Sequence, residues 1–109
     1  MNAVTQDGWL EVGAAEDLEE DDALTVEHRG RTYAVYRTES GVYGTDGICT
    51  HAYALLADGL VMDDVIECPL HQGRFHIPSG KALSSPACED LRSYPVREEG
   101  GRLYLSLGG

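Results

Sequence analysis

The residues best suited to chemistry are two mixed pairs of metal-binding side chains, Cys49-Thr50-His51 and Cys68-Pro69-Leu70-His71, with residues 52–67 between them. A spacer of one or two residues in a turn lets both side chains of a pair converge, and Gly47 and Pro69 are turn formers placed to build such loops. Thiolate and imidazole together suit zinc or iron–sulfur. A zinc finger usually keeps both cysteines in one pair and both histidines in the other. Here each pair holds one of each, which is what a two-iron site needs if each loop gives one ligand to each metal. A structural zinc site would use the same four atoms in tetrahedral geometry and stays open at this point.

No other chemistry competes with this site. The sequence shows no Ser-His-Asp set, no phosphate-cradling glycine loop, no nucleotide fingerprint and no second metal triad of two histidines and a carboxylate. A chain that holds a redox metal and lacks a substrate site transfers electrons and is not itself an enzyme. The third cysteine, Cys88, reads as a small buried thiol. His76 falls in the strand-like run Arg74-Phe75-His76-Ile77 and reads as a surface or packing residue, and His28 as a solvated residue beside a turn.

Composition narrows the setting. With 19 Asp and Glu against 8 Lys and Arg, the net charge is −11. Such a surface repels phosphate backbones, so nucleic acid is not expected as a partner. The acidic runs Glu16 to Asp22 and Asp63-Asp64 read either as solvated loops or as part of a docking surface for basic proteins. Met1 to Gly13 lacks a basic leader and an apolar stretch, and nowhere do about eighteen apolar residues run together, so neither export nor a membrane anchor is expected. Three cysteines cannot pair completely. In the reducing cytoplasm that these features imply, thiolates bind metal more often than they form disulfides.

The elements that must position the ligands are short strands. Gly8 to Val12 alternates, Ala14 to Asp22 is an acidic connection with room for a short helical turn, and Ala23 to His28 resumes the strand rhythm. A hairpin turn is expected near Arg29-Gly30, before Tyr33-Ala34-Val35-Tyr36, and a second turn at Glu39-Ser40-Gly41. Ser93 to Arg97 and Arg102 to Leu107 read as strands joined by a loop over Glu98-Glu99-Gly100-Gly101. Trp9 and the tyrosines at 33, 36, 43, 94 and 104 fill the core or cover its edges, and Tyr53 lies where it could shield a metal. The pattern predicts one all-β domain over 1–109, an antiparallel sandwich or incomplete barrel, with about 47–86 packed as an inserted metal-binding subdomain.

Cys49-Thr50-His51 and Cys68-Pro69-Leu70-His71-Gln72-Gly73-Arg74-Phe75 resemble the two ligand boxes of Rieske proteins. The likeness is nearest to the ferredoxin components of bacterial aromatic-ring-hydroxylating dioxygenases. It extends through Ala57-Asp58-Gly59, Val65-Ile66-Glu67, Pro78 to Leu83 and Tyr94-Pro95-Val96. The resemblance implies a Rieske-type fold and one [2Fe–2S] cluster. Cys49 and Cys68 would hold an inner iron, and His51 and His71 an outer iron that serves as the electron port. It also implies the partners: a flavoprotein NAD(P)H reductase as donor, and as acceptor a terminal oxygenase with Rieske and mononuclear iron centres. A Rieske-like small subunit of an assimilatory nitrite reductase is the alternative from a different class.

Ligation by two neutral imidazoles leaves such a cluster two charges less negative than ligation by four thiolates. The potential therefore rises from about −400 mV into a window of roughly −150 to +300 mV. Respiratory Rieske proteins add a loop-bridging disulfide and hydroxyl donors to the sulfurs. The matching positions here are Ala54, Leu70, Gly73 and Phe75, none of which can do either. The expected potential is at the low end, about −150 mV.

Overall fold

The computed structural model describes residues 8–50, 54–70, 73–84 and 89–107. In chain order the described strands are β1 (Trp9–Ala14), β2 (Asp22–His28), β3 (Arg31–Thr38), β4 (Gly41–Asp46), β5 (Leu60–Met62), β6 (Val65–Glu67), β7 (Arg74–His76), β8 (Ala82–Ser84), β9 (Ser93–Tyr94), β10 (Val96–Glu99) and β11 (Arg102–Ser106). They form three antiparallel sheets, β1-β11-β10, β2-β3-β4-β9 and β5-β6-β7-β8. The only helical pieces among the described residues are 3₁₀ turns at Ala15–Asp17 and Leu56–Asp58. The fold is all-β, as the sequence implied, and the expected short turn in the acidic connection is the first of these.

Tight turns set the registers. The pairs His28↔Arg31, Met62↔Val65 and Glu99↔Arg102 each close a two-residue loop. The loop residues all lie at positive φ: Arg29 at 52° and Gly30 at 78°, Asp63 at 54° and Asp64 at 62°, Gly100 at 58° and Gly101 at 78°. Positive φ at both central residues matches the right-handed twist of the flanking strands. Aspartate tolerates this region better than most side chains because its carboxylate can bond locally. The Asp64 carboxylate instead accepts hydrogen bonds from Ser40 Oγ, on the distant turn before β4, at 2.9 and 3.0 Å.

The middle sheet separates two cores. Along β3 the run Tyr33-Ala34-Val35-Tyr36 is buried on both faces, because alternate side chains point to opposite sides. Tyr33 and Val35 join Leu10, Leu18, Val26, Tyr94, Leu103 and Leu105 in a core closed by β1 and β11. Ala34 and Tyr36 join Leu56, Val61, Ile66, Phe75, Ile77 and Leu91 in a second core closed by the β5-β6-β7-β8 sheet. Cys49 and Cys68 belong to the second core.

The C-terminal reading is refined in one place. Ser93 to Arg97 is not one strand: β9 pairs with β4 in the middle sheet, whereas β10 pairs with β11. Pro95 stands between them, lacking the N–H a continuous ladder needs, and its carbonyl accepts the Ser106 N–H at 2.8 Å. Glu98 and Glu99, expected in the loop, are the last residues of β10, and the loop shrinks to Gly100-Gly101.

Candidate metal centre

The two ligand loops are built alike. In the first, Ile48 bridges Leu55, and one step further in the Cys49 N–H donates to the Ala54 carbonyl at 3.0 Å. In the second, Glu67 pairs with Arg74, and the Cys68 N–H donates to the Gly73 carbonyl at 2.7 Å. Each cysteine is therefore the first residue inside the last pair of a hairpin, with its backbone donor satisfied across the loop. A ligand held this way spends no flexibility on orienting its own main chain.

Neighbouring bonds fix the loops to the frame. At the end of β4, Asp46 accepts the Tyr94 hydroxyl at 2.7 Å and the Arg92 N–H at 3.1 Å, and its own N–H donates to the Arg92 carbonyl at 2.9 Å. Thr50 Oγ1 donates to the Glu89 carbonyl at 2.9 Å, tying the first loop to the segment before β9. Gly59 joins the two loops: a Cβ there would lie 2.0 Å from the Glu67 carbonyl oxygen, next to Cys68. Only a residue without a side chain permits that approach.

Cys49 and Cys68 are 4% and 1% exposed, from different loops, yet their thiols hydrogen-bond with each other. Burial pushes the Cys68 thiol up to about 11; the hydrogen bond to Cys49 adds to this and the Leu70 backbone N–H opposes it. At neutral pH such a thiol binds a proton unless a cation replaces it, so metal loading here releases protons. Two adjacent buried sulfurs facing each other from paired loops are a donor set for a thiolate-ligated metal. His51 and His71, the other two expected ligands, lie outside the described residues, as do Tyr53 and Cys88. Among the described residues no group of three or more His, Cys, Asp or Glu is gathered to hold a metal ion.

The remaining titratable candidates fall elsewhere. His76 sits in β7 with Nδ1 2.8 Å from Ser79 Oγ, a hydrogen-bonded role in the sheet. His28 is half-buried at the end of β2 rather than fully solvated. Tyr36 is one feature that the sequence reading placed only as core filler. It is fully buried in the same core as both cysteines, its hydroxyl 2.7 Å from Thr45 Oγ1. Thr45 donates its single proton to the Asp46 carbonyl at 2.7 Å, so Tyr36 is the donor of that pair. A tyrosine in a β-rich run carries no signal that separates this use from ordinary packing.

A paired-loop site on this all-β frame defines a class, and the comparisons agree: residues 8–95 match the Rieske [2Fe-2S] domain, and the chain belongs to that family. Its curated relatives include ferredoxin components of dioxygenase systems. The naphthalene 1,2-dioxygenase system ferredoxin component of Pseudomonas putida is 42% identical over 99 residues, covering 91% of this chain and 95% of the relative. The ferredoxin component of the naphthalene 1,2-dioxygenase/salicylate 5-hydroxylase systems of Ralstonia sp. is 40% identical with the same coverage. Among solved structures, a chain from the complex of reduced oxygenase and oxidized ferredoxin in carbazole 1,9a-dioxygenase superposes with a TM-score of 0.87 at 36% identity. That match covers 93% of this chain and 94% of the other.

Proposed function

We propose that this protein is a one-electron carrier that takes electrons from an NAD(P)H-dependent flavoprotein reductase and delivers them to the Rieske centre of a terminal aromatic-ring-hydroxylating oxygenase. The observation that carries the reading is the pair of buried cysteines on matched hairpin loops in a chain whose relatives are ferredoxin components. Cys49 and Cys68 hold the inner iron of one [2Fe–2S] cluster, and His51 and His71 the outer iron. Residues 1–109 make one Rieske domain, with about 47–86 as the cluster-binding subdomain. The bound cluster supplies a one-electron couple and nothing else.

The chain's own part is to hold that couple still and dry on one side. Phe75, Ile66 and Leu56 are fully buried in the core that contains the two cysteines, so the sulfur side faces hydrocarbon. Leu70, on the second loop, is 46% exposed, so the loop's far side faces solvent and partners. Neither Leu70 nor Phe75 carries a donor for sulfur, which supports a potential near the low end of the Rieske range, about −150 mV. No described helix is long and apolar enough to cross a membrane, and the carrier operates in the cytoplasm.

Reconstitution tests the proposal. Reductase, this protein and the oxygenase of its system turn over together, and turnover stops when this protein is left out or His71→Cys replaces it. Undiminished turnover without it refutes the carrier role.

A further inference from the structure

The β5-β6-β7-β8 sheet has two faces of different character. Its inner face packs Val61, Ile66 and Phe75 into the core with the cysteines. Its outer face bears Leu60, Met62 and Leu83, exposed by 53%, 55% and 52%. Single exposed apolar residues are ordinary, but these three share one face and line one shallow groove of about 330 Å³. Register places the groove beside the metal centre: Leu60 pairs with Glu67 and Glu67 with Arg74, the row immediately below the second ligand loop. The fourth exposed large hydrophobic among the described residues, Leu70, lies on that loop.

Charge selects what fits. Arg74 lines the groove but is engaged by Glu67 at 3.0 Å, and Asp63 stands at its rim with Asp64 beside it in the turn. The whole chain carries −11. A second copy, a nucleic acid or an anionic membrane would meet like charge, whereas an apolar prominence bordered by lysine or arginine meets its complement.

We propose that the outer face of this sheet is a docking face for a redox-partner protein that presents an apolar prominence bordered by Lys and Arg. It lies beside the second ligand loop, so it adds contact area and orientation without forming the electron path itself. The inference rests on the carrier reading above.

The test uses holo-protein with Met62→Lys, Met62→Glu and Leu83→Lys. Both sites are exposed positions on the edge strands β5 and β8, where a charge is compatible with the fold. Stopped-flow transfer from the reductase and to the oxygenase is followed against carrier concentration at low and high salt. For at least one partner, the Lys variants raise the half-saturating concentration about tenfold at low salt and Met62→Glu only about threefold. The gap closes at high salt as screening removes the repulsion. The maximal rate, the midpoint potential and the electron paramagnetic resonance spectrum stay as in the wild type. Wild-type half-saturation of the Lys variants with both partners overturns the proposal, as does a loss that is equal for Lys and Glu or greater for Glu. If the wild-type protein reacts with neither partner, the carrier reading falls and this inference falls with it.

Discussion

The two cores on either side of β3 are made of the same kinds of side chain but finish differently. The one under β1 and β11 is centred on aliphatic side chains: Leu10, Val35, Leu103 and Leu105 are completely buried. The other ends in two sulfurs carried on loops, and the β5-β6-β7-β8 sheet that closes it has strands of only three residues each. Short strands bury little area per element, so the second core is expected to draw part of its stability from the metal its loops are proposed to hold. The contrast shows how one small fold separates the task of staying folded from the task of holding a redox group.

The largest effect that sharpens this contrast is expected for Cys68→Ser. Iron content and the visible absorption of the purified protein should fall nearly to baseline, while the β-sheet circular dichroism of the first core persists. Retention of the chromophore would break the comparison.

Truncating one buried residue on each side compares the cores directly. Phe75→Ala and Leu105→Ala should each lower unfolding free energy, by about 3–5 and 2–5 kcal/mol respectively. Only Phe75→Ala should also shorten the time over which a chelator strips the iron at a temperature where both variants remain folded. Equal iron loss from the two would show the cores to be one cooperative unit. A smaller effect, about 1–3 kcal/mol, is expected for Gly59→Ala, because the added methyl meets the Glu67 carbonyl oxygen and forces the two ligand loops apart. Chemical denaturation with iron release followed in parallel checks it.

The smallest effect belongs to the first core at high pH. Burial pushes the Tyr94 hydroxyl up to about 12, and the Asp46 carboxylate that accepts its proton acts in the same direction. The folded value lies above the ordinary phenol value of about 10. The neutral ring therefore stabilises the fold in full below about pH 10, and that contribution is lost as pH rises toward about 12. In Tyr94→Phe, stability measured across this window should fall less steeply than in the wild type.

Much of this was legible in the sequence because it is local. The turn at Arg29-Gly30, the turn before β4 and the two ligand pairs are each contained in a few consecutive residues. What was not legible depends on distant partners or on too few residues. Pairing of Trp9 with Ser106 joins the first and last described strands, and no local pattern announces it. Of the three-residue strands only β7 shows in the sequence, as the strand-like run at Arg74 to Ile77; β5, β6 and β8 are too short for alternation to be visible, and the Asp63-Asp64 turn hides among other acidic residues. Arg97 appears in the sequence only as the end of a strand-like run, yet its guanidinium lies 4.5 Å from the Trp9 ring centroid and 5.5 Å from that of Tyr104, a contact made only by the long-range sheet. Of the site, the sequence showed which loops carry the two cysteines, but the matched closing bonds at Ala54 and Gly73 belong to backbone geometry, which side-chain identity does not encode.

The central claim is that Cys49, His51, Cys68 and His71 together hold one two-iron cluster with mixed ligation. Electron paramagnetic resonance of the dithionite-reduced protein tests it most directly. The account predicts a signal from one reduced [2Fe–2S] cluster with a lower average g value than a four-cysteine cluster gives. A four-cysteine-type signal, or a silent and colourless protein carrying zinc, would contradict it.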